Sequence, residues 1–350
     1  MGIIVMKFGG SSLASAGLFR RVLAIIQKGD DRRCIVLSAP GVYQGEEKVT
    51  NLLCEAWKRC ITRENYMDAI ERVANRYGEI GRELNVCDMK ERAMRSLCSA
   101  LTISEAHVLS RGEFLCAELF SEFSGIFMRD AALLLAFGKD GKLDEAKTLR
   151  QLADAIHACP RLIIPGFYGA NADGRIRTLP RNGSDITGAL AAAACSAELY
   201  ENWTDVPGLM TADPSIVPDA RPIPRISYRQ MRRLAAAGAK VLHPECLAPV
   251  QKRGIPVRLC STFQPEQAGT LVCEEDASRV ACLIVKDGPR IDGRETAQIS
   301  LLGTSPSLIM DLRRMKEALF VDVKDDISIV VVPRSQARAL ARRLHGRLID

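Results

Sequence analysis

Lys7 is the first side chain in the sequence suited to chemistry. It closes a short apolar run, Ile3 to Met6, and leads into Phe8, Gly9, Gly10, Ser11 and Ser12. Glycines let a backbone come close to a ligand and turn its amides inward. A helix beginning near Ser15 would add its positive N-terminal end, and a lysine adds a compact charge for β- and γ-phosphate oxygens. The stretch therefore suits a polyphosphate. It is neither a Walker A loop nor a dinucleotide-binding turn, and Gly9-Gly10 taken alone reads more readily as an ordinary tight turn.

Three further stretches carry reactive side chains. In TLPRNGSDITGALAAAA a loop passes Arg181, Asn182 and Gly183 before Ser184 or Asp185 caps an alanine-rich helix. The planar fork of Arg181 beside that helix start makes a site for a carboxylate. In ENWTDVPGLMTADPSI, Trp203, Thr204 and Asp205 end a strand and a Pro/Gly/Asp-rich loop follows, in which Asp205 and Asp213 also read as turn stabilisers. In AAAGAKVLHPECL, Gly238 stops one helix, Lys240 follows, and Pro244 opens the next. His243 reads as a turn residue, and His107, His157 and His345 as ordinary helix residues.

The elements that must position these groups alternate. Apolar, β-branched runs at 3–8, 34–39, 161–167, 198–203 and 255–260 are separated by helical patterns at 17–28, 50–61, 64–81, 88–109, 185–197, 227–237 and 244–253. Such βαβ alternation predicts an α/β fold with a mainly parallel sheet between helices, where ligands gather at the carboxyl ends of strands. Beyond about residue 275 the pattern becomes β-α-β-β-α, over 297–303, 307–318, 319–326, 327–333 and 334–345. The expected division is a catalytic domain over 1–273 and a small α+β domain over 274–350.

Composition narrows the class of protein. The chain has 350 residues, 47% hydrophobic and 26% charged, in the range of soluble globular proteins. No run reaches the roughly 18 apolar residues of a membrane span, and Lys7 interrupts the N-terminal run before a signal peptide can form. Twelve scattered cysteines without a C-x-x-C pair read as reduced thiols of a cytoplasmic protein without structural zinc. The net charge of +6 forms no basic block and only 5% of residues are aromatic, which argues against nucleic-acid binding.

KFGGSS (7–12), TNLL (50–53), SRGE (110–113), RNGSD (181–185), WTDVPGLMTADP (203–214) and GAKVLHP (238–244) occur in order. Together they resemble aspartate kinase, within the amino-acid kinase superfamily, over roughly residues 3 to 272, and the tail resembles an ACT regulatory module. The resemblance implies transfer of the ATP γ-phosphoryl group to the side-chain carboxylate of L-aspartate, an early step of lysine, threonine and methionine synthesis. It assigns catalysis to Lys7 and Asp185, and substrate binding to Thr50, Glu113, Phe167, Arg181 and Ser184. Arg181 is expected on the α-carboxylate and Glu113 on the ammonium. Nucleotide contacts fall on Lys7, Gly9, Gly10, Ser11, Thr204, Asp205, Met210, Asp213 and Lys240, with Mg²⁺ held mainly by phosphates and water.

The sequence departs from the family pattern at Pro180, Asn182, Met210 and Ser215. Asn182 tolerates left-handed backbone, whereas Met210 and Ser215 remove an aromatic ring and a positive charge, which predicts weaker ATP binding. The family carries two ACT units and this chain has room for about one, so a homodimer joined through residues 296–350 is expected. Two other readings stay open. One is a superfamily kinase acting on glutamate, acetylglutamate or uridylate, which SRGE and VLHP disfavour. The other is a silent amino-acid-binding regulator, which Lys7, Glu113, Arg181 and Asp185 disfavour.

Overall fold

The apolar runs IVMKF, RRCIVL and LIIP are nearly continuous because their strands are covered on both faces, as parallel strands must be. The computed structural model describes residues 2–180, 182–239, 242, 244–275, 280–324 and 327–349. It divides into two compact units, Met1–Val206 with Glu245–Gln267, and Pro207–Pro244 with Ala268–Asp350. Residues 207–244, assigned from sequence to the first domain, thus group with the C-terminal part of the chain.

In the first unit five parallel strands lie in the order β4-β2-β1-β7-β9: β1 (Ile4–Phe8), β2 (Arg32–Leu37), β4 (Leu162–Pro165), β7 (Leu199–Thr204) and β9 (Val257–Ser261). The side chains of Met6, Phe8, Ile35, Leu37 and Trp203 face a core shared with α1 (Ala16–Ile26), α2 (Val49–Ile61), α3 (Met67–Glu83), α4 (Met89–Leu101) and α5 (Glu105–Ser124). The opposite face carries α7 (Gly183–Ala194), which packs on β1, β2 and β7 and against α6 (Glu145–Ala158). Alanine and glycine along α7 let it sit close: a Cβ on Gly188 would lie 2.5 Å from the Tyr200 hydroxyl. A small sheet joins β3 (Ala136–Phe137), β5 (Tyr168–Asn171) and β6 (Ile176–Thr178).

The mainly parallel α/β architecture read from the sequence is present, with local corrections. The single helix expected over 88–109 is two, because Ser104 N-caps α5 by accepting from the His107 amide at 3.2 Å. The strand expected over 161–167 ends at Pro165, and Phe167 turns the chain with φ +80°. Neither Ser184 nor Asp185 caps α7; both lie inside its first turn, and the cap position belongs to Asn182, in left-handed conformation at φ 64°.

The second unit contains the parallel pair β8 (Arg225–Ser227) and β10 (Thr270–Cys273), with α8 (Tyr228–Ala237) after β8. It also holds an antiparallel sheet in the order β11-β12-β14-β13, from β11 (Cys282–Asp287), β12 (Thr296–Leu302), β13 (Phe320–Lys324) and β14 (Ile327–Pro333). With α10 (Pro306–Arg314) and α11 (Arg334–Ile349), the stretch from β12 to α11 follows the β-α-β-β-α order expected. The addition is β11, which precedes that series and occupies the edge beside β12. Leu340, Ala341, Leu344 and Leu348 of α11 pack with Ile299, Leu301, Val330 and Val332, and also with Ala212 and Val217 from the earlier segment. His345, read as an ordinary helix residue, is buried, with Nε2 2.8 Å from Thr211 Oγ1. The remaining helix, α9 (Pro244–Gln251), begins at the proline expected to open it and from Glu245 onward belongs to the first unit.

Candidate active site

The carboxyl ends of β1, β2 and β7 bring chain turns together. Lys7 stands one residue before the end of β1, in register with Val36 of β2 and Asn202 of β7. Its Nζ lies 2.5 Å from Asp185 Oδ1 in the first turn of α7, and both side chains are largely shielded from water. A second donor reaches the same oxygen, Asn202 Nδ2 at 2.8 Å, while the Tyr200 hydroxyl donates to the Asp185 carbonyl at 3.2 Å. Burial holds the Tyr200 hydroxyl well above its ordinary pKa, so it remains a donor.

Gly9 and Gly10 serve different purposes. The Gly9 amide donates to the Trp203 carbonyl at 3.0 Å and is spent inside the protein. The amides that this stretch can offer a phosphate are those opening the following 3₁₀ turn, Gly10–Leu13, whose first donors lack intrahelical partners. Ser11 lies in that turn. A Cβ on Gly9 would meet only ordinary contacts, 3.5 Å from Lys7 Nζ and from Trp203 O, whereas one on Gly10 would lie 2.7 Å from Ala39 O. The 39–41 loop holds this turn from the other side, with the Gly41 amide donating to Gly10 O at 2.8 Å. The helix behind it opens where expected, with Ser15 Oγ accepting from the Leu18 amide.

Ala39 also touches α5, since a Cβ on Gly112 would lie 2.9 Å from the Ala39 side chain. The next residue, Glu113, is buried in mid-helix, with Oε2 lacking any hydrogen-bond partner. Desolvation pushes its carboxyl up to about 8, against the opposing pull of backbone hydrogen bonds at Ala39 and Glu113 and of the Lys7 charge. Thr50 is half-buried in the first turn of α2, whose Val49 amide donates to Pro40 O.

A further strand-end turn fits against α7. A Cβ on Gly166 would lie 2.6 Å from the Ser184 Cβ, and the Phe167 amide donates to Thr187 Oγ1 at 3.1 Å. Left-handed backbone in a bulky residue costs on the order of 1–3 kcal/mol and concentrates at functional sites. At the end of β7, Thr204 Oγ1 donates to the exposed Asp205 at 2.9 Å, and Trp203 stacks on Phe8 at 5.8 Å between ring centres.

Lys7, Gly9, Gly10, Ser11, Thr50, Glu113, Phe167, Ser184, Asp185, Thr204 and Asp205 all belong to the first unit. Met210 and Asp213 belong to the second, where Asp213 Oδ1 accepts from the Ser215 amide in the turn expected of it. Arg181 and Lys240, with His243, lie outside the described residues. Sequence reasoning missed Asn202 and Tyr200. The available signal was an asparagine, a poor strand former, in a strand beside the Lys7 strand.

Residues 2–261 match the sequence profile of the amino acid kinase family. The chain belongs to that family. Among curated amino acid kinases, aspartokinase 3 of Bacillus subtilis is 33% identical over 285 residues, which is 77% of this chain and 63% of the relative. The lysine-sensitive aspartokinase 3 of Escherichia coli is 33% identical over 301 residues, 78% of this chain and 64% of the relative. The chain thus spans less than two thirds of the length of these relatives. Among solved structures, aspartate kinase of Clostridium acetobutylicum superposes with a TM-score of 0.85 at 25% identity, covering 99% of this chain and 100% of that one. No helix among the described residues is long and apolar enough to cross a membrane.

Proposed function

We propose that the chain is an aspartate kinase, transferring the γ-phosphoryl group of ATP to the side-chain carboxylate of L-aspartate to give 4-phospho-L-aspartate. The observation that carries this reading is the shielded Lys7–Asp185 pair at the end of β1, with the buried carboxyl of Glu113, one of whose oxygens (Oε2) lacks a hydrogen-bond partner, close enough to feel the Lys7 charge. The relatives named as aspartokinases support the choice of substrate.

Physical chemistry assigns the work. The nucleophile has an ordinary pKa of about 3.9 and is ionised at neutral pH, so no base is needed. A carboxylate oxygen bonds to the γ-phosphorus, the bond from that phosphorus to the β–γ bridging oxygen breaks, and ADP leaves with the electron pair. The barrier is repulsion between two anions, so catalysis consists of positioning and charge neutralisation. Lys7 neutralises the transferring group and Asp185 orients Lys7. Glu113 fits the substrate ammonium: its buried Oε2 has no hydrogen-bond partner, and a cation that supplies one offsets the cost of ionising the carboxyl there. Arg181 takes the α-carboxylate, and Thr50, Phe167 and Ser184 complete the substrate pocket. Gly9, Gly10 and Ser11 shape the phosphate turn, and Thr204 and Asp205 contact the nucleotide; Met210, Asp213 and Lys240 are given nucleotide contacts by the family resemblance alone.

Among the described residues no group of three or more His, Cys, Asp and Glu gathers as a metal cage. We take Mg²⁺ to arrive with the triphosphate and to be held mainly by phosphates and water. We assign residues 274–350 an ACT-like regulatory role and dimerisation through 296–350. The edge strand β13 carries exposed Phe320, with Leu319 and Met310 also exposed nearby in the chain. A cytoplasmic location suits an ATP-dependent enzyme with twelve free cysteines among the described residues.

Hydroxylamine trapping of acyl phosphate, with Mg-ATP and aspartate, glutamate or uridylate in parallel, tests the reading. Aspartate alone is expected to give product, and Lys7→Ala is expected to lower kcat by about a hundredfold or more. Product from glutamate alone would overturn the substrate assignment. Amino-acid binding without ADP release would favour the silent regulator.

A further inference from the structure

Asn202 is 4% exposed in the middle of a sheet face, a position where a β-branched apolar residue would pack better. Strand β7 alternates, with Glu201 and Trp203 on one side and Tyr200 and Asn202 on the side that meets α7. On the first side, Glu201 has its own partners: Arg32 at 3.1 Å and the Trp203 indole at 3.0 Å. On the second side, Asn202 lies directly opposite Lys7 in the parallel register, and both aim at one atom, Asp185 Oδ1. A buried amide is tolerated only when its hydrogen-bonding groups are used, and a bond to an ionised acceptor offsets the burial best. The Asn202 amide group also lies 3.4 Å from the Tyr200 hydroxyl, which itself reaches the Asp185 backbone. Two adjacent residues of one strand face therefore grip Asp185 by its side chain and by its main chain.

We infer that Asn202 is a positioning residue: it fixes the Asp185 carboxylate so that Asp185 holds the Lys7 ammonium where the transferring phosphoryl group passes. This rests on the phosphoryl transfer proposed above. Without Asn202 the carboxylate loses the second donor that defines its rotamer, and Lys7 gains freedom at the point where placement matters most. Displacements of about 1 Å in such sites can cost up to a hundredfold in rate.

The test compares the wild type with Asn202→Leu, which removes the amide, and Asn202→Asp, which keeps the volume but sets a carboxylate against Asp185. We expect kcat for acyl phosphate formation to fall by about ten- to a hundredfold in both, with KM for aspartate and ATP changing by less than about twofold. A second readout needs no substrate: in protein labelled with ¹⁵N-lysine, the Lys7 Nζ resonance should shift in both variants. A folded variant with unchanged kcat beside an active wild type would overturn the inference, as would an unmoved Lys7 resonance. If the wild type forms no acyl phosphate from aspartate, the proposed function fails while the resonance still decides the role of Asn202. Should Asn202→Leu not fold, the equal-volume aspartate variant carries both measurements.

Discussion

Glu113 is a residue whose titration the fold moves into the neutral pH range. Its carboxyl sits at about 8 rather than at the ordinary 4.5, because the buried ion has lost its water. The native protein therefore keeps a proton that the unfolded chain releases between these values. Stability from this group is fully present below the ordinary carboxyl range and is lost as pH rises towards 8. The urea midpoint should accordingly fall between pH 5 and pH 8, and Glu113→Gln should flatten that slope. A midpoint equally steep in the variant would place the dependence elsewhere. If Glu113 receives the substrate ammonium, aspartate binding at pH 7 must ionise it. Calorimetry in buffers of different ionisation enthalpy should then show release of about one proton per site, absent in Glu113→Gln.

At the scale of elements, the turn between β1 and α1 is pinned at Gly10 rather than Gly9. A methyl group at Gly10 meets the Ala39 carbonyl, a backbone atom that cannot swing away. Gly10→Ala should displace the phosphate turn, raising KM for ATP about tenfold and lowering Tm by several degrees, in line with overpacking costs of about 1–3 kcal/mol. Gly9→Ala, with only ordinary contacts, should do less to stability; thermal melts of the two variants would show the ranking. The strands of this layer were legible because burial on both faces leaves nearly unbroken apolar runs. Helix α6 was not, since its buried stripe is only Thr148, Leu152, Ala155 and Ile156. The break between α4 and α5 was concealed by continuous periodicity, although Ser104 is a recognisable cap. The strands of the small sheet, β3, β5 and β6, run only 2 to 4 residues, too short for alternation to register. Of the site, the charged and glycine positions announced themselves by type. Asn202 did not, because its role depends on a cross-strand register that no local pattern contains.

For the whole molecule, the interleaved units make fragment boundaries consequential. A cut at 273/274 removes Ala212 and Val217 from the core that α11 completes, along with the bond from the Leu283 amide to Thr211 O. A 274–350 fragment should therefore melt without cooperativity by circular dichroism. A sharp two-state transition from that fragment would show the earlier segment to be dispensable.

The same interleaving sets an order of events during synthesis. The last strand of the first unit, β9, leaves the ribosome well before α11, which at about 5–20 residues per second follows residue 244 by roughly five to twenty seconds. The first unit can close while 207–244 is still an unfilled loop, tethered where it leaves at Val206 and where it returns at Glu245. The second core, which needs Ala212 and Val217 as well as the residues of α11, is completed only after α11 has been made.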